Sequence, residues 1–230
     1  MKVSIIIPVL NEAENIARLV TQLRAHCNGS LAELLIVDGG STDDTVQKAQ
    51  QAGATVLQSP QRGRATQMNF ATQFATGDLL YFVHGDTLPP ASYMEDVLQA
   101  VKEGFPIGCF RFRFESHHPL LRINSYMTRF DFTWCRGGDQ TLFVTREIFD
   151  ELGGYCEADV IMEEFYFINR AKASYPFKII PKDVLVSARK YAINGYFRVQ
   201  IANLIAFNMF RFGFPQQRIA DTYRKLLEIR

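Results

Sequence analysis

With 230 residues, 47% of them hydrophobic, and a formal net charge of +1, the chain suits one domain that removes roughly 70% of its unfolded surface from water. No disulfide staple is needed at that size. Cys27, Cys109, Cys135 and Cys156 are far apart with no Cys-x-x-Cys pair, which argues against a structural zinc site and for reduced thiols in a cytosolic protein. The basic residues are dispersed rather than striped, which argues against a nucleic-acid partner.

Met1-Lys2-Val3-Ser4-Ile5 enters a strand directly, without a signal peptide's basic start, long apolar core or small-residue cleavage site, so a cytoplasmic location is expected. Val3 to Val9, mostly β-branched, reads as a strand covered on both faces. Asn11 is placed to cap a helix, Glu14 to close a capping box, and Ile16, Leu19, Val20 and Leu23 to form its buried stripe. The plan repeats with Leu34 to Val37 as strand, Ser41 as cap with Asp44 three residues on, and Val46 and Ala49 facing inward. Thr55 to Leu57 is a short third strand, a helix spans Thr66 to Ala75 and ends near Gly77, and Leu79 to Val83 is a fourth buried strand. Strands alternating with helices predict an α/β, Rossmann-like fold with a mostly parallel sheet flanked by helices.

The pattern then changes. Phe110, Phe112 and Phe114 alternate with Arg111 and Arg113, the period of a strand with one wet face, so an antiparallel element is expected here. Thr141 to Val144 reads as a strand, Arg146 to Leu152 as a helix stopped by Gly153-Gly154, Glu163 to Ala173 as a helix, and Tyr196 to Phe214 as a helical, aromatic-rich tail. No repeat, low-complexity segment or linker divides the chain.

Three clusters can carry chemistry. Asp38-Gly39-Gly40-Ser41 ends the second strand beside the Pro8-Val9-Leu10-Asn11-Glu12 turn, at the carboxyl ends where open α/β sheets bind ligands. The Asp38 carboxylate can accept from a uracil imide or a ribose hydroxyl, or it can cap its own turn; the residues alone leave both open. His84-Gly85-Asp86-Thr87 ends the fourth strand, where Asp86 and His84 can hold a divalent cation and Gly85 lets backbone approach a ligand; a plain strand-ending turn is the alternative. Glu163 and Glu164 open a helix amid apolar residues. Helix-dipole preference accounts for them equally well, but partial burial would raise a carboxylate toward the range of a general base.

In this order and spacing, the chain resembles the family 2 glycosyltransferases, whose nucleotide-sugar-binding domain is of the type called GT-A. The resemblance runs through Ser4 to Glu12, Val37 to Thr45, Gly63-Arg64-Ala65-Thr66-Gln67-Met68-Asn69, Gly77 to Thr87, Gly137-Gly138-Asp139-Gln140, Gly153-Gly154-Tyr155, Met162-Glu163-Glu164 and Ser187-Ala188-Arg189-Lys190-Tyr191. More narrowly, it resembles a compact bacterial subgroup without transmembrane helices. It implies an inverting transfer from a UDP- or GDP-type sugar to an acceptor hydroxyl, within one domain made of a nucleotide-binding half (1–87), an acceptor and catalytic half (88–192) and a helical tail (193–230).

Carried over residue by residue, the resemblance implies that Asp38 contacts the base. Pro8, Asn11 and Glu12 would line the nucleoside pocket, with Gly40, Arg64, Gln67, Asn69, His84 and Gly85 near base or phosphate. Asp86 would hold the metal with His84, and Gly138, Gln140, Arg189 and Lys190 would face the diphosphate or acceptor. Glu164 falls where the family usually has an aspartate base, with Glu163 beside it and Asp139 as a competitor.

The family's usual Asp-x-Asp metal motif is here His84-Gly85-Asp86, which favours manganese over magnesium. Two other readings stay open: a non-catalytic nucleotide-sugar-binding protein, and a nucleotidyltransferase, whose Gly-rich basic loop is replaced here by Pro8-Val9-Leu10-Asn11-Glu12. A dehydrogenase lacks support, since no Gly-x-Gly-x-x-Gly follows the first strand. The tail either packs on its own domain or a second subunit, as a homodimer, or lies on a membrane surface with Arg189, Lys190, Arg198 and Arg211 near anionic head groups, bringing the site to a lipid-linked acceptor.

Overall fold

The computed structural model describes residues 1–132, 136 and 138–228. Cys135 and Gly137 lie outside the described residues. Its centre is an eight-stranded sheet of β1 (Val3–Val9), β2 (Leu31–Asp38), β3 (Thr55–Gln58), β4 (Leu79–Phe82), β5 (Thr87–Leu88), β6 (Ile107–Phe114), β7 (Leu142–Thr145) and β8 (Phe177–Val186), in the order β3-β2-β1-β4-β7-β6-β8-β5. The pairs β1/β2, β1/β4, β2/β3 and β6/β8 are parallel, while β4/β7, β6/β7 and β5/β8 are antiparallel. The expected parallel half with an antiparallel element in the second half is therefore what the chain builds.

The helices are α1 (Ile16–Ala25), α2 (Thr45–Gln51), α3 (Arg64–Thr72), α4 (Tyr93–Lys102), α5 (Pro119–Met127), α6 (Arg146–Glu151), α7 (Glu163–Lys172), α8 (Arg189–Asn194), α9 (Tyr196–Arg211) and α10 (Gln216–Leu226). Strand alternation sorts the core. Ile5, Ile7, Leu34 and Ile36 pack against Leu19, Leu23, Met94 and Val97 of α1 and α4, while Ile6, Leu35 and Val37 meet Met68, Phe149 and Phe167 of α3, α6 and α7 on the other face. A sheet covered on both sides needs apolar residues at every position, which is why β1 is buried throughout. Val199, Ala202 and Leu227 form a small separate core between α9 and the end of the chain.

At the amino end of the sheet, the Glu33 carboxylate on β2 accepts from Ser4 Oγ, from Thr76 N at 2.8 Å and from Thr76 Oγ1 at 2.6 Å, tying β1, β2 and the approach to β4 together.

Some expectations need correction. Asn11 does not cap α1, which starts at Ile16 after Asn15. Asn11 has left-handed backbone (φ 56) and bridges two turns, its N–H donating to Ser41 Oγ and its Oδ1 accepting from Thr42 N. Ser41 is likewise no cap, since α2 starts at Thr45, whose N–H donates to Asp43. Both residues spend their hydrogen-bonding capacity between loops, so neither capping box forms.

Candidate active site

Carboxyl ends of strands and amino ends of helices converge on one cluster. β1 runs out into Glu12, β4 into His84-Gly85-Asp86, and β8 into Ser187 and α8, where Arg189 and Lys190 stand. Ser187 N donates to Asp86 O at 3.1 Å, fastening the last of these to the second. Asp139 arrives on a single 3-10 turn, Gly138–Gln140, ahead of β7. Met162, in left-handed backbone (φ 63, ψ 27), turns the chain so that the first residues of α7, Glu163 and Glu164, point inward and are buried.

Among the described residues, the non-glycine positions with left-handed backbone are Asn11, Asn28, Thr141 and Met162. Three of them flank this cluster. For Thr and Met that conformation is strained, and such strain concentrates where side chains must be aimed.

The cluster is densely charged. His84 Nε2 lies 2.8 Å from Glu164 Oε1 and its Nδ1 3.9 Å from Asp139 Oδ1. Arg64 reaches Glu163 at 3.9 Å, and Arg189 Nη2 donates to Glu12 Oε1 at 2.7 Å. Lys190 Nζ donates to Tyr223 OH at 3.2 Å.

Burial raises Glu163, and the neighbouring Glu164 charge adds to it, up to about 7. Burial acts on Glu164 the same way, but the hydrogen bond and charge of His84, with Arg64, outweigh it and hold Glu164 below the usual carboxylate range. Of two adjacent buried acids, one is thus a ready anion and the other is partly protonated at neutral pH. Desolvation and the charge of Asp139 raise Asp86. Desolvation lowers Arg64, but Glu163, Glu164, Asp139 and Asp86 together raise it above its ordinary value.

Not every expected residue joins this cluster. Asp38 is buried, and its carboxylate accepts from Gly40 N at 2.9 Å and from Ser41 N and Oγ, so it caps its own turn. Gly40 adopts φ +90 in that turn, and Arg62, which the sequence did not single out, donates to Gly39 O and Gly40 O from outside. Gln67 is buried and donates to Val9 O and Val37 O, clamping the ends of β1 and β2. Pro8 is buried within β1 opposite Val37.

Asn69 pairs with Tyr155 through both its amide ends and reaches Glu157. Beside it Gly154 is required, because it has φ +68 and a Cβ there would fall 2.8 Å from Asn69 Oδ1. Gln140 is buried, donating to Phe110 O and Thr128 O. Gly138 opens the turn that carries Asp139. A Cβ at Gly85 would press on Glu12 Cγ at 3.1 Å and Val9 Cγ1 at 3.2 Å, so this glycine has a packing reason within the chain. Tyr223, the partner of Lys190, comes from α10 and had no signal in the sequence.

His84, Asp86 and Asp139 each bring a ligand atom within 4.8 Å of the others. One imidazole and two carboxylates, with Asp86 and Asp139 repelling each other, form a donor set that fits a divalent cation.

The model of the family described as glycosyl transferase family 2 matches residues 4–152, and the chain belongs to that family. The glucosyl-3-phosphoglycerate synthase of Mycolicibacterium smegmatis is 33% identical over 96 residues, covering 38% of this chain and 32% of that protein. The dolichol-phosphate mannosyltransferase of Pyrococcus furiosus is 29% identical over 113 residues, covering 47% and 32%. The chain thus spans about a third of the length of these relatives.

Among solved structures, the glucosyl-3-phosphoglycerate synthase of Mycobacterium tuberculosis in complex with Mn2+, UDP and phosphoglyceric acid aligns with a TM-score of 0.63 at 20% identity, covering 93% of this chain and 79% of that one. A mannosyltransferase from Pyrobaculum calidifontis in complex with GDP-Man and Mn2+ aligns with a TM-score of 0.66 at 20% identity, covering 98% and 69%. These likenesses establish the GT-A fold.

Proposed function

We propose that the chain transfers a glycosyl group from a UDP- or GDP-type sugar to an acceptor hydroxyl by a single displacement that inverts the anomeric carbon. The observation that carries this reading is the Glu164–His84 pair, an ionised, buried carboxylate held beside a cation-compatible cluster at the carboxyl ends of β1 and β4.

Glu164 is the base. Its Oε1 is engaged by His84, and no side chain among the described residues binds Oε2. The carboxylate takes the acceptor's proton as that oxygen bonds to the anomeric carbon, while the bond from that carbon to the diphosphate oxygen breaks and its electron pair leaves with the nucleotide. Arg64, Arg189 and Lys190 meet the charge that develops there. Asp139 sits with His84 and Asp86 rather than alone, which supports it as a ligand rather than the base. Those three residues would hold a divalent cation, manganese in preference to magnesium given the imidazole, and the ion would neutralise diphosphate charge. Asp38 and Gly40 shape the turn against which the nucleoside rests, and Arg62 lies on its outer side.

Turnover with a panel of UDP- and GDP-sugars in manganese tests this. Release of nucleoside diphosphate, with an anomeric product configuration opposite to the donor's, is the expected result. Nucleotide binding without even slow donor hydrolysis would assign the chain to nucleotide-sugar sensing instead.

A further inference from the structure

α9 is apolar on two opposite sides. Val199, Ala202 and Ala206 face the domain, while Phe197 (72% exposed), Ile201, Leu204 and Phe212 (74% exposed) recur along the outer side at helical spacing. Tyr196 joins this face to α5, donating to Asn124 Oδ1 at 3.1 Å and stacking on His118. Ile123 and Tyr126 of α5 are also more than half exposed. Exposed apolar residues gathered on one face mark an interaction surface rather than ordinary scatter.

The charge around it has one sign. Residues 191–220 carry Arg198, Arg211 and Arg218 and no Asp or Glu, and residues 117–130 carry Arg122 and Arg129 and no Asp or Glu. The acids at the border are already engaged: Glu228 with Arg198 at 3.6 Å, Asp221 with Arg224 at 3.2 Å, Glu115 with Arg18 at 3.3 Å, and Asp131 with Lys172 at 2.6 Å and Arg136 at 3.5 Å. Among the described residues Arg122 and Arg211 form no ion pair, and both are exposed.

We propose that the outer face of α9, continued by α5, docks on an anionic lipid bilayer. An apolar centre whose unpaired rim charges, Arg122 and Arg211, are cationic complements an interface whose head groups are negative and whose interior is hydrocarbon. A second copy seated on the same face would bring the unpaired Arg122 and Arg211 toward a rim of the same sign. No helix among the described residues is long and apolar enough to cross a membrane, so the contact is peripheral.

The flank of α9 also packs on the helix that carries Glu164. Phe207 and Phe210 of α9 pack on Phe165, and Phe210 on Tyr166, one and two residues beyond Glu164 on α7. Docking therefore brings the site to lipid-borne hydroxyls. That consequence rests on the glycosyl-transfer reading, whereas the docking itself does not.

Co-sedimentation with phosphatidylcholine vesicles, with and without phosphatidylglycerol, at low and high salt, tests the docking. The wild-type chain is expected to pellet only with phosphatidylglycerol, several-fold less at high salt. Phe197→Ser/Phe212→Ser and Arg211→Glu should each reduce pelleting several-fold while circular dichroism and donor hydrolysis in solution stay as in wild type. Wild type remaining in the supernatant with anionic vesicles at low salt overturns the proposal. So does a dimer in vesicle-free light scattering that Phe197→Ser/Phe212→Ser dissolves, which would assign the face to a second copy. Loss of hydrolysis in wild type with vesicle binding intact would remove the transfer reading and leave the docking standing.

Discussion

The 2.8 Å contact between His84 Nε2 and Glu164 Oε1 joins two residues 80 positions apart and sets the orientation of one and the charge of the other. Glu164 keeps His84 oriented with Nδ1 toward Asp139, and His84 keeps Glu164 ionised in a site where burial alone would protonate it. Carboxylates behind a ligating imidazole act in this way in metal sites generally. Replacing Glu164 by Gln preserves shape and one hydrogen bond but removes proton affinity. Turnover should fall by about 10²- to 10⁴-fold while UDP or GDP affinity by calorimetry stays close to wild type. Asp139→Asn should instead shift the manganese concentration needed for half-maximal activity. The reverse pattern would make Asp139 the base.

Asp38 acts through its turn. Asp38→Ala removes the acceptor for the Gly40 and Ser41 amides and leaves those donors without their partner. Unfolding in urea should show a loss of about 1–3 kcal/mol without any ligand present. A stability equal to wild type, with nucleotide affinity lost, would place the carboxylate on the base instead.

Met162 holds strain for the sake of aim. Met162→Gly relieves a left-handed conformation worth about 1–2 kcal/mol and adds back about 0.5–1 kcal/mol of unfolded-state entropy, so the thermal midpoint should hold or rise slightly. Transfer should nonetheless drop, because the first turn of α7 gains freedom. Full activity in a chain of unchanged stability would show that the turn does not need this residue to position Glu163 and Glu164.

Glu33 gives the fold an acid-sensitive tie. Burial raises its pKa, but the hydrogen bonds from Ser4, Thr76 and Gly77 prevail and lower it beneath the ordinary value of 4.5. A carboxylate that stays ionised to lower pH when folded contributes stability that is complete above that value and is lost as pH falls through the lowered one. Wild type should therefore lose more stability than Glu33→Gln between pH 7 and pH 3. Equal losses in urea titrations at the two pH values would remove Glu33 from the acid response.

The elements legible from sequence were those whose pattern is continuous. β1 runs from Val3 to Val9 as its mostly apolar run requires, and α1 buries Ile16, Leu19, Val20 and Leu23. β8 went unread because its burial is irregular, with Lys182 and Asp183 exposed beside a register shift against β6. α5 buries only Leu121, too little to mark a helical stripe. α4 follows the ordinary period with Tyr93, Met94, Val97 and Ala100, a stripe the sequence carries in full.

Within the site, the residue types of the His84-Gly85-Asp86 and Glu163-Glu164 segments pointed to chemistry, but their pairing did not. Which carboxylate meets His84 is decided by the packing of α7 across the sheet. The clamp roles of Gln67 and Asn69 were hidden because they bind backbone groups with no sequence signature, whereas turn-capping by Asp38 was one of the two readings its residues left open.

The Arg189–Glu12 ion pair spans 177 positions, and so the charged cluster has no complete wall until the last fifth of the chain has folded back onto the first turn. Closing so distant a contact slows assembly more than it costs at equilibrium. A ligand bound across these two ends would act as a clasp, stabilising the native state by an amount that rises with the logarithm of its concentration above Kd.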